Sequence, residues 1–205
     1  MIVLIFDLDD TLLMSNEYNN YNDIKFNTKL LNLLNQFNNH KFIYTNGTYG
    51  HAEKSIPKLL GNNIFKKIYA RDTIPFMKPD YKSFNYINNN IFYNINNNIN
   101  NYKNISYIFF DDNLDNIETA KEIGWTTVWI PHRNYKNEIK KTNYEFVDYK
   151  YYNINYALEN LNNIIDNINN TINYIQSNYF KGYKKGYYFK KGINGLGYYI
   201  DNNFI

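Results

Sequence analysis

Two aspartates separated by one residue follow the first apolar run of the chain. Residues 2–6 are apolar and partly β-branched, which predicts a buried β-strand, and Asp7 and Asp9 come directly after it. On an extended segment, side chains two residues apart point to the same side. Such a pair could share Mg²⁺, which prefers one or two protein carboxylates together with water and phosphate oxygens. One carboxylate could then attack phosphorus while the other transfers a proton, although acidic pairs after strands are also common in solvated turns.

A hydroxyl, an amide and a glycine end the second apolar run, residues 41–44. Thr45 could hydrogen-bond a phosphoryl oxygen, and Asn46 and Gly47 could offer backbone N–H groups to an anion at the start of a helix. The same residues also fit an ordinary β-turn, in which Asn and Gly are common. The interpretation as an anion site therefore depends on the rest of the chain.

Two further segments could complete such a site. Lys78 precedes Pro79, which fits the first turn of a helix, so we expect the lysine in the loop before that helix. It could balance the charge of a nucleophile against a phosphoryl group, although an ordinary surface lysine would have the same local sequence. Asp111 and Asp112 follow another apolar run, residues 105–110, and repeat the pattern of the first acidic pair.

These polar positions require a sheet that brings them together. The expected fold class is α/β, with right-handed helical crossovers between mostly parallel strands, so that the carboxyl ends of the strands share the edge where ligands bind. Strands are predicted near residues 2–6, 41–45, 64–70, 106–110 and 126–130, with a weaker one near 144–147. Helices are predicted near residues 27–37, 50–60 and 114–123, and the asparagine-rich run 88–101 is expected to extend a helix end and a loop.

The ordered set of motifs resembles the haloacid dehalogenase (HAD) superfamily over about residues 1–132. The four motifs are Asp7-x-Asp9-x-Thr11, Thr45-Asn46-Gly47, Lys78-Pro79 and Asp111-Asp112. The resemblance implies a three-layer, Rossmann-like HAD fold. Accompanying residues are similar in particular to the pyrimidine 5′-nucleotidase-like branch, namely His51, Ala52, Asn116, Ile117 and Ala120.

The resemblance implies a role for each motif residue. Asp7 would be the nucleophile, forming an aspartyl-phosphate and binding Mg²⁺. Asp9 would be the general acid and then the general base, with its backbone carbonyl on the metal. Members that dehalogenate generally lack the second aspartate and need no metal, so Asp9 favours phosphoryl transfer. An alkoxide leaving group requires a proton, whereas a halide does not.

The remaining motif residues would bind the phosphoryl group and the metal. The implied substrate-binding set is Thr45, Asn46, Gly47 and Lys78. The last of these would also balance the charge of the nucleophile and the phosphate. Asp112 would be the third protein ligand to Mg²⁺, and Asp111 an auxiliary acid that ligates directly or through water.

The chain departs from the superfamily where a cap domain usually lies. Residues 14–26 leave room for a loop, and the interval from 45 to 78 is filled by a predicted helix and strand. A nearly capless site would be open to solvent. The expected activity is Mg²⁺-dependent hydrolysis of a phosphate monoester, with nucleotides as one substrate class. The alternatives are a macromolecular substrate, such as a nucleic-acid 3′ end or a phosphoprotein, and a non-catalytic HAD-fold binding protein.

Composition excludes a few function classes. The 205 residues include no cysteine, so a thiol nucleophile and a disulfide framework are excluded. The net charge of +3 is mildly basic and does not identify a partner. No apolar run approaches the roughly 20 residues of a membrane span, and no signal peptide is recognisable, which makes a cytoplasmic protein the expectation.

The C-terminal quarter of the chain has a different character. We predict a phosphatase domain at residues 1–150, a C-terminal helix within 151–178 and a Gly/Lys/Tyr-rich tail at 179–205. The helix, near residues 156–177, has an apolar stripe that could pack on the core or mediate oligomerisation. The stripe consists of Leu158, Leu161, Ile165, Ile168, Ile172 and Ile175.

The tail combines basic and aromatic residues. Its lysines and tyrosines could bind an anionic partner such as single-stranded nucleic acid or a membrane surface, or the tyrosines could pack on the core. His51 follows the second motif and either lines the site or is a helix-terminal residue without a catalytic role.

Overall fold

The computed structural model describes residues 1–96, 105–132, 143–192 and 195–201. The chain divides into two compact units, Met1–Glu159 and Asn160–Ile205. The functional regions predicted from the sequence, with boundaries at residues 150 and 178, stay predictions. None of the helices within the described ranges is long and apolar enough to cross a lipid bilayer.

The first unit is built on a parallel sheet of six strands, ordered β3-β2-β1-β4-β5-β6. All of its strand pairs are parallel, which confirms the predicted α/β class. The strands are β1 Ile2–Phe6, β2 His40–Tyr44, β3 Lys67–Tyr69, β4 Ser106–Asp111, β5 Thr126–Trp129 and β6 Tyr149–Lys150. The central strand β1 is buried along its whole length, as expected for a strand covered on both faces.

Among the described residues of this unit there are five α-helices, and polar side chains cap their N-termini. Asn27 caps α1, Thr48 caps α2 and Asn113 caps α4, each by accepting backbone N–H bonds. The helices are α1 Thr28–Asn35, α2 Tyr49–Leu60, α3 Tyr81–Asn96, α4 Leu114–Glu122 and α5 Ile154–Glu159. The caps matter for function because α2 and α4 both start at the carboxyl edge of the sheet.

Helix α3 corrects the expectation for Pro79 and confirms that the asparagine-rich run extends a helix end. Pro79 lies outside the helix, which begins two residues later at Tyr81. Much of the asparagine-rich run is helical, because Ile87, Ile91 and Ile95 recur every four residues and are buried in the core. Residues 97–104 of that run lie outside the described part of the chain.

The prediction of a weak strand at residues 144–147 was wrong. This segment forms a turn in which the Val147 N–H bonds the Tyr144 carbonyl, and the short strand β6 follows it. Thr127 explains the shift, because its hydroxyl donates to the Phe146 carbonyl and its N–H donates to Asp148. These bonds hold the turn against β5, so strand pairing starts only after Asp148.

The second unit contains a helix and a small antiparallel sheet. They are α6 Leu161–Asn173, β7 Tyr174–Gln176, β8 Tyr187–Gly192 and β9 Gly195–Ile200, with the sheet ordered β7-β9-β8. The continuous helix predicted at 156–177 was therefore wrong: α5 ends at Glu159, and Ile175 pairs with Tyr198 as part of a strand. The apolar stripe is not one helix face, which removes the basis for the oligomerisation expected from it.

The tail predicted at residues 179–205 contributes two of these strands. Tyr198 is buried and its hydroxyl donates to the Gly182 carbonyl while accepting the Lys181 N–H. Gly197 leaves room for the Tyr174 ring, and Gly192 for the Tyr199 ring, because a Cβ at either glycine would overlap those rings. Part of the tail is thus a folded hairpin.

Candidate active site

Neighbouring strands deliver the predicted residues to one edge of the sheet. Asp7 follows β1 and its N–H donates to the Phe110 carbonyl of β4 over 2.9 Å. Thr45 follows β2 and its N–H donates to the Tyr69 carbonyl of β3, also over 2.9 Å. Asp111 is the last residue of β4. The parallel register therefore places the ends of three motifs side by side.

Lys78 is a buried ion-pair partner and not a surface lysine. Its Nζ lies 2.7 Å from Asp7 Oδ1 and 2.6 Å from Asp111 Oδ2, and its side chain is 1% exposed. The ammonium also lies 5.2 Å from the centre of the Tyr44 ring and 5.4 Å from that of Phe109. A buried ammonium needs such partners, because its desolvation would otherwise be costly.

Asn46 fixes the backbone of the loop that carries Lys78. Its side-chain N–H donates to the Lys78 carbonyl over 2.8 Å, and its Oδ1 accepts the Lys78 N–H over 3.0 Å. Sequence reasoning expected only a backbone contribution from Asn46. The reciprocal bonds instead give its side chain a structural task, which is to hold the second and third motifs together.

Both carboxylate oxygens of Asp111 are hydrogen-bonded by protein groups. Oδ1 accepts the Asn113 N–H at 2.9 Å and the Asn116 side-chain amide at 3.0 Å. Oδ2 accepts from Lys78 and, at 3.1 Å, from the same amide. The side chain is fully buried. Asp111 is thereby fitted to anchor Lys78.

Three carboxylates converge beside this ion pair. Asp7, Asp111 and Asp112 each offer an oxygen, and these oxygens lie within 4.8 Å of one another. Lys78 is their cationic neighbour, so three carboxyl groups face one ammonium group. A set of hard oxygen donors with excess negative charge fits a hard divalent cation such as Mg²⁺. A hydrogen bond holds the backbone of Asp112, because its carbonyl accepts the indole N–H of Trp129 over 2.8 Å.

Burial and, to a smaller extent, the neighbouring carboxylates change the pKa values of this cluster. Burial raises the pKa of Asp7 to about 8, with Lys78 opposing and Asp111 adding to the effect. Burial also raises the pKa of Asp112 to about 7, assisted by Asp111 and Asp10. Burial alone would lower the pKa of Lys78, but the carboxylates of Asp111 and Asp7 together hold it above its ordinary value. A bound cation would stabilise the ionised carboxylates.

The side chain of Asp9 has a separate environment. Its Oδ1 lies 2.8 Å from His51 Nε2, and the side chain is 36% exposed. A Cβ built on Gly47 would lie 3.2 Å from Asp9 Oδ2, 3.2 Å from Thr45 Oγ1 and 3.3 Å from His51 Cδ2. Three functional groups therefore surround Gly47, and the absence of a side chain there lets them approach.

The sequence leaves the role of His51 open, and the structure places its side chain against Asp9. The signal was its position six residues after Thr45, in the first turn of a helix that starts at the carboxyl edge. Thr48 fixes that turn, because its side chain accepts the His51 N–H over 3.2 Å.

A cavity of about 580 Å³ lies alongside the loop that follows Asp9. Residues 10–14 and 24–28 form much of its wall, together with residues 152–155. Its size is within the range of pockets that hold small ligands.

Three of the solved structures that this chain is similar to are the following. A candidate β-phosphoglucomutase from Thermotoga maritima is 12% identical, with a TM-score of 0.52 over 82% of this chain and 100% of its own. The candidate HAD hydrolase YfnB from Bacillus subtilis, bound to magnesium, is 24% identical, with a TM-score of 0.47 over 67% of this chain and 53% of its own. The L-2-haloacid dehalogenase from Xanthobacter autotrophicus is 10% identical, with a TM-score of 0.44 over 65% and 58%.

The likeness to the Thermotoga maritima structure shows the fold alone. The chain spans between 52% and 58% of the length of the first solved structures it matches. None of the curated proteins compared with this chain matches it.

A family model settles the family. The model described as haloacid dehalogenase-like hydrolase matches residues 14–130, which is more than half of the chain. The matched range begins after Asp7 and Asp9, so the interpretation of those two residues depends on their geometry. From this match we conclude that the chain belongs to the haloacid dehalogenase-like hydrolases.

Proposed function

We propose that the protein is a Mg²⁺-dependent phosphomonoester hydrolase that works through an aspartyl-phosphate on Asp7. The observation that carries the proposal is that Asp7 and Asp9, only two residues apart in the chain, have different environments. Asp7 is buried beside Lys78, Asp111 and Asp112. The side chain of Asp9 is partly exposed and hydrogen-bonded to His51. One is suited to attack phosphorus, and the other to exchange protons with substrate and water.

The reaction would proceed in two displacements. A carboxylate oxygen of Asp7 attacks phosphorus, the bond to the ester oxygen breaks, and Asp9 protonates that oxygen as the alcohol leaves. Water then attacks the phosphorus of the aspartyl-phosphate, and Asp9 takes its proton. Inorganic phosphate departs and Asp7 returns as a carboxylate.

The other residues would bind the phosphoryl group and control its charge. Thr45 and the backbone N–H groups of Asn46 and Gly47 would contact its oxygens. Lys78 would balance the negative charge of the phosphoryl group and of Asp7. Mg²⁺, held by Asp7, Asp112 and the Asp9 carbonyl, would supply Lewis-acid charge to the phosphoryl oxygens. Asp111, whose oxygens are already engaged, would act through Lys78 or through a metal-bound water.

Asp9 favours phosphate esters over carbon–halogen bonds as the substrate. A departing alkoxide needs a proton and a halide does not, so a dehalogenase has no use for an acid at this position. A non-catalytic binding protein is disfavoured because a buried cluster of carboxylates costs stability through desolvation and mutual repulsion.

We propose nucleotide-sized phosphate esters as the first substrate class. The motif resemblance to the pyrimidine 5′-nucleotidase-like branch and the nearby cavity of about 580 Å³ support it. Residues 14–26 contribute two 3₁₀ helices, Ser15–Glu17 and Tyr21–Asp23, in the place of a larger cap. We call residues 14–26 the lid. Because the lid is small, a macromolecular phosphate ester remains the second candidate substrate.

An anionic partner for the second unit is a separate proposal. Tyr174, Tyr199 and Tyr188 lie side by side across the three strands, and Lys190 Nζ lies 4.7 Å from the Tyr188 ring centre and 5.1 Å from that of Tyr199. Residues 174–205 contain five lysines and one acidic residue. Adjacent tyrosines with lysines suit single-stranded nucleic acid, through base stacking and phosphate contacts.

Phosphate release from a substrate panel tests the proposed activity. The panel would contain nucleotides, sugar phosphates, a phosphopeptide and a 3′-phosphorylated oligonucleotide, each with Mg²⁺ and with chelator, and a 2-haloacid as the contrasting substrate. We expect Mg²⁺-dependent phosphate release with nucleotides preferred. Halide release without phosphate release would contradict the proposal.

A further inference from the structure

One imidazole connects Asp9 to the small lid. His51 Nε2 lies 2.8 Å from Asp9 Oδ1, and His51 Nδ1 lies 3.1 Å from the Tyr21 hydroxyl. Tyr21 begins the second 3₁₀ helix of residues 14–26. The three side chains thus form a chain of hydrogen bonds from the lid to the carboxylate that would exchange protons with the substrate.

Helix α2 holds two parts of this chain of hydrogen bonds, the imidazole in its middle and the lid at one end. The His51 N–H is held by the side chain of Thr48 at the start of the helix. The lid is held by Lys58, which donates to Asn22 over 3.2 Å, and by Lys54, whose Nζ lies 5.6 Å from the Tyr21 ring centre. A capping box between Asn20 and Asp23 fixes the turn itself.

For a neutral imidazole, the two contacts of His51 fit one tautomer. The Tyr21 hydroxyl can donate to Nδ1, which leaves the proton of a neutral imidazole on Nε2, where it donates to Asp9 Oδ1. Occupation of Oδ1 leaves Oδ2 as the oxygen that carries and releases a proton. Oδ2 is also the atom that faces Gly47, beside Thr45.

We propose that His51 is a positioning residue for Asp9, and that Tyr21 sets its tautomer and so links the lid to proton transfer. This inference rests on the proposed phosphatase function. Its distinguishing consequence is selectivity for the leaving group. An alkyl phosphate needs the proton from Asp9, whereas 2,4-dinitrophenyl phosphate has a leaving group that departs without one.

The test compares kcat/KM for these two substrates, because this constant covers the steps up to departure of the leaving group. For His51→Leu we expect a loss of about 10- to 100-fold on the alkyl phosphate and of less than about threefold on the dinitrophenyl ester. Tyr21→Phe should show the same selectivity with a smaller loss. His51→Gln, whose Nε2 can donate to Asp9, should restore most of the alkyl phosphatase activity.

Controls separate this inference from a folding effect and from the proposed function. His40→Gln changes a histidine at the opposite end of β2, paired with Lys66, and should leave both constants unchanged. Equal losses on both substrates, or no rescue by glutamine, would overturn the positioning role while leaving a phosphatase. No Mg²⁺-dependent hydrolysis of either ester by the wild type would remove the proposed function and this inference with it.

Discussion

The Lys78 ammonium lies 2.6 Å from Asp111 Oδ2, and both side chains are almost fully buried although 33 residues separate them in the chain. The pair joins the loop before α3 to the end of β4 and also holds Asp7. Removing one member would leave uncompensated charge in the interior. The interaction therefore links the stability of the fold to the electrostatics of the site.

Lys78→Met should destabilise the protein by about 3–5 kcal/mol, because it leaves buried carboxylates without a partner. The double variant Lys78→Met/Asp111→Asn should recover part of this loss. Chemical denaturation measures both. Lys29→Met, which removes an exposed pair with Glu159, is the control and should change little. A Lys78→Met protein as stable as the wild type would refute the buried pair.

Metal-free protein should lose stability as the pH rises and the carboxyl groups of the acidic cluster, Asp7 and Asp112, lose their protons. The pKa values of Asp7 and Asp112 rise from 3.8 to about 8 and about 7, so the folded state binds more protons than the unfolded state between these limits. Their contribution to the free energy of unfolding is full at pH values below about 4 and is lost as pH rises to about 8. Thermal unfolding in chelator should show this decline, and Asp7→Asn should reduce it.

Mg²⁺ should reverse the decline because it binds the ionised carboxylates. The increase in Tm on adding Mg²⁺ should be larger at pH 8 than at pH 5.5. Asp115→Asn, at an exposed position in the first turn of α4, should behave as the wild type. An increase in Tm that does not depend on pH, or that survives Asp7→Asn unchanged, would argue against the cluster as the metal site.

Gly47→Ala should impair activity more than stability. The new methyl group would press on Asp9 Oδ2 and Thr45 Oγ1, both 3.2 Å from its position, and displace them by a few tenths of an ångström. Such displacements are costly for a reaction that depends on alignment, and we expect a loss of about 10-fold or more in kcat. Gly50→Ala has no neighbour within 4 Å in the same helix start and should keep full activity. Equal activity of the two variants would be inconsistent with the crowded geometry around Gly47.

The aromatic face of the second unit gives a binding prediction that does not depend on catalysis. The double variant Tyr188→Ala/Lys190→Ala should weaken binding of a fluorescent single-stranded oligonucleotide, since stacking contributes about 1–3 kcal/mol per base. Binding should also weaken with rising salt. Fluorescence anisotropy on the full chain measures both effects. Tyr183→Ala, a strongly exposed tyrosine outside the strands, is the control. No binding by the wild type would end this proposal.

The sequence was sufficient for five of the six strands of the parallel sheet, because strands buried on both faces appear as short apolar runs, as residues 2–6 and 106–110 do. It was also sufficient to bring the acidic residues together, since the carboxyl ends of parallel strands must share an edge. The burial of Lys78 could not be derived locally, because its partners lie 71 and 33 residues away. Only the order of the motifs indicated that these residues meet.

Other features depended on contacts that a local pattern does not encode. The apolar spacing continues across Asn160, but Tyr174 and Ile175 pair with β9, which ends the helix at Asn173. His51 had the sequence context of any residue in a first helical turn. Its importance became visible only through Asp9 and Tyr21, which lie 42 and 30 residues away.

The most direct test of the central claim is Mg²⁺-dependent phosphate release by the wild type, Asp7→Asn and Asp115→Asn on the preferred phosphate ester. We expect the wild type and Asp115→Asn to release phosphate, chelator to abolish this release, and Asp7→Asn to lose at least about 10³-fold in rate. Turnover by Asp7→Asn at the wild-type rate would contradict Asp7 as the nucleophile and with it the aspartyl-phosphate mechanism.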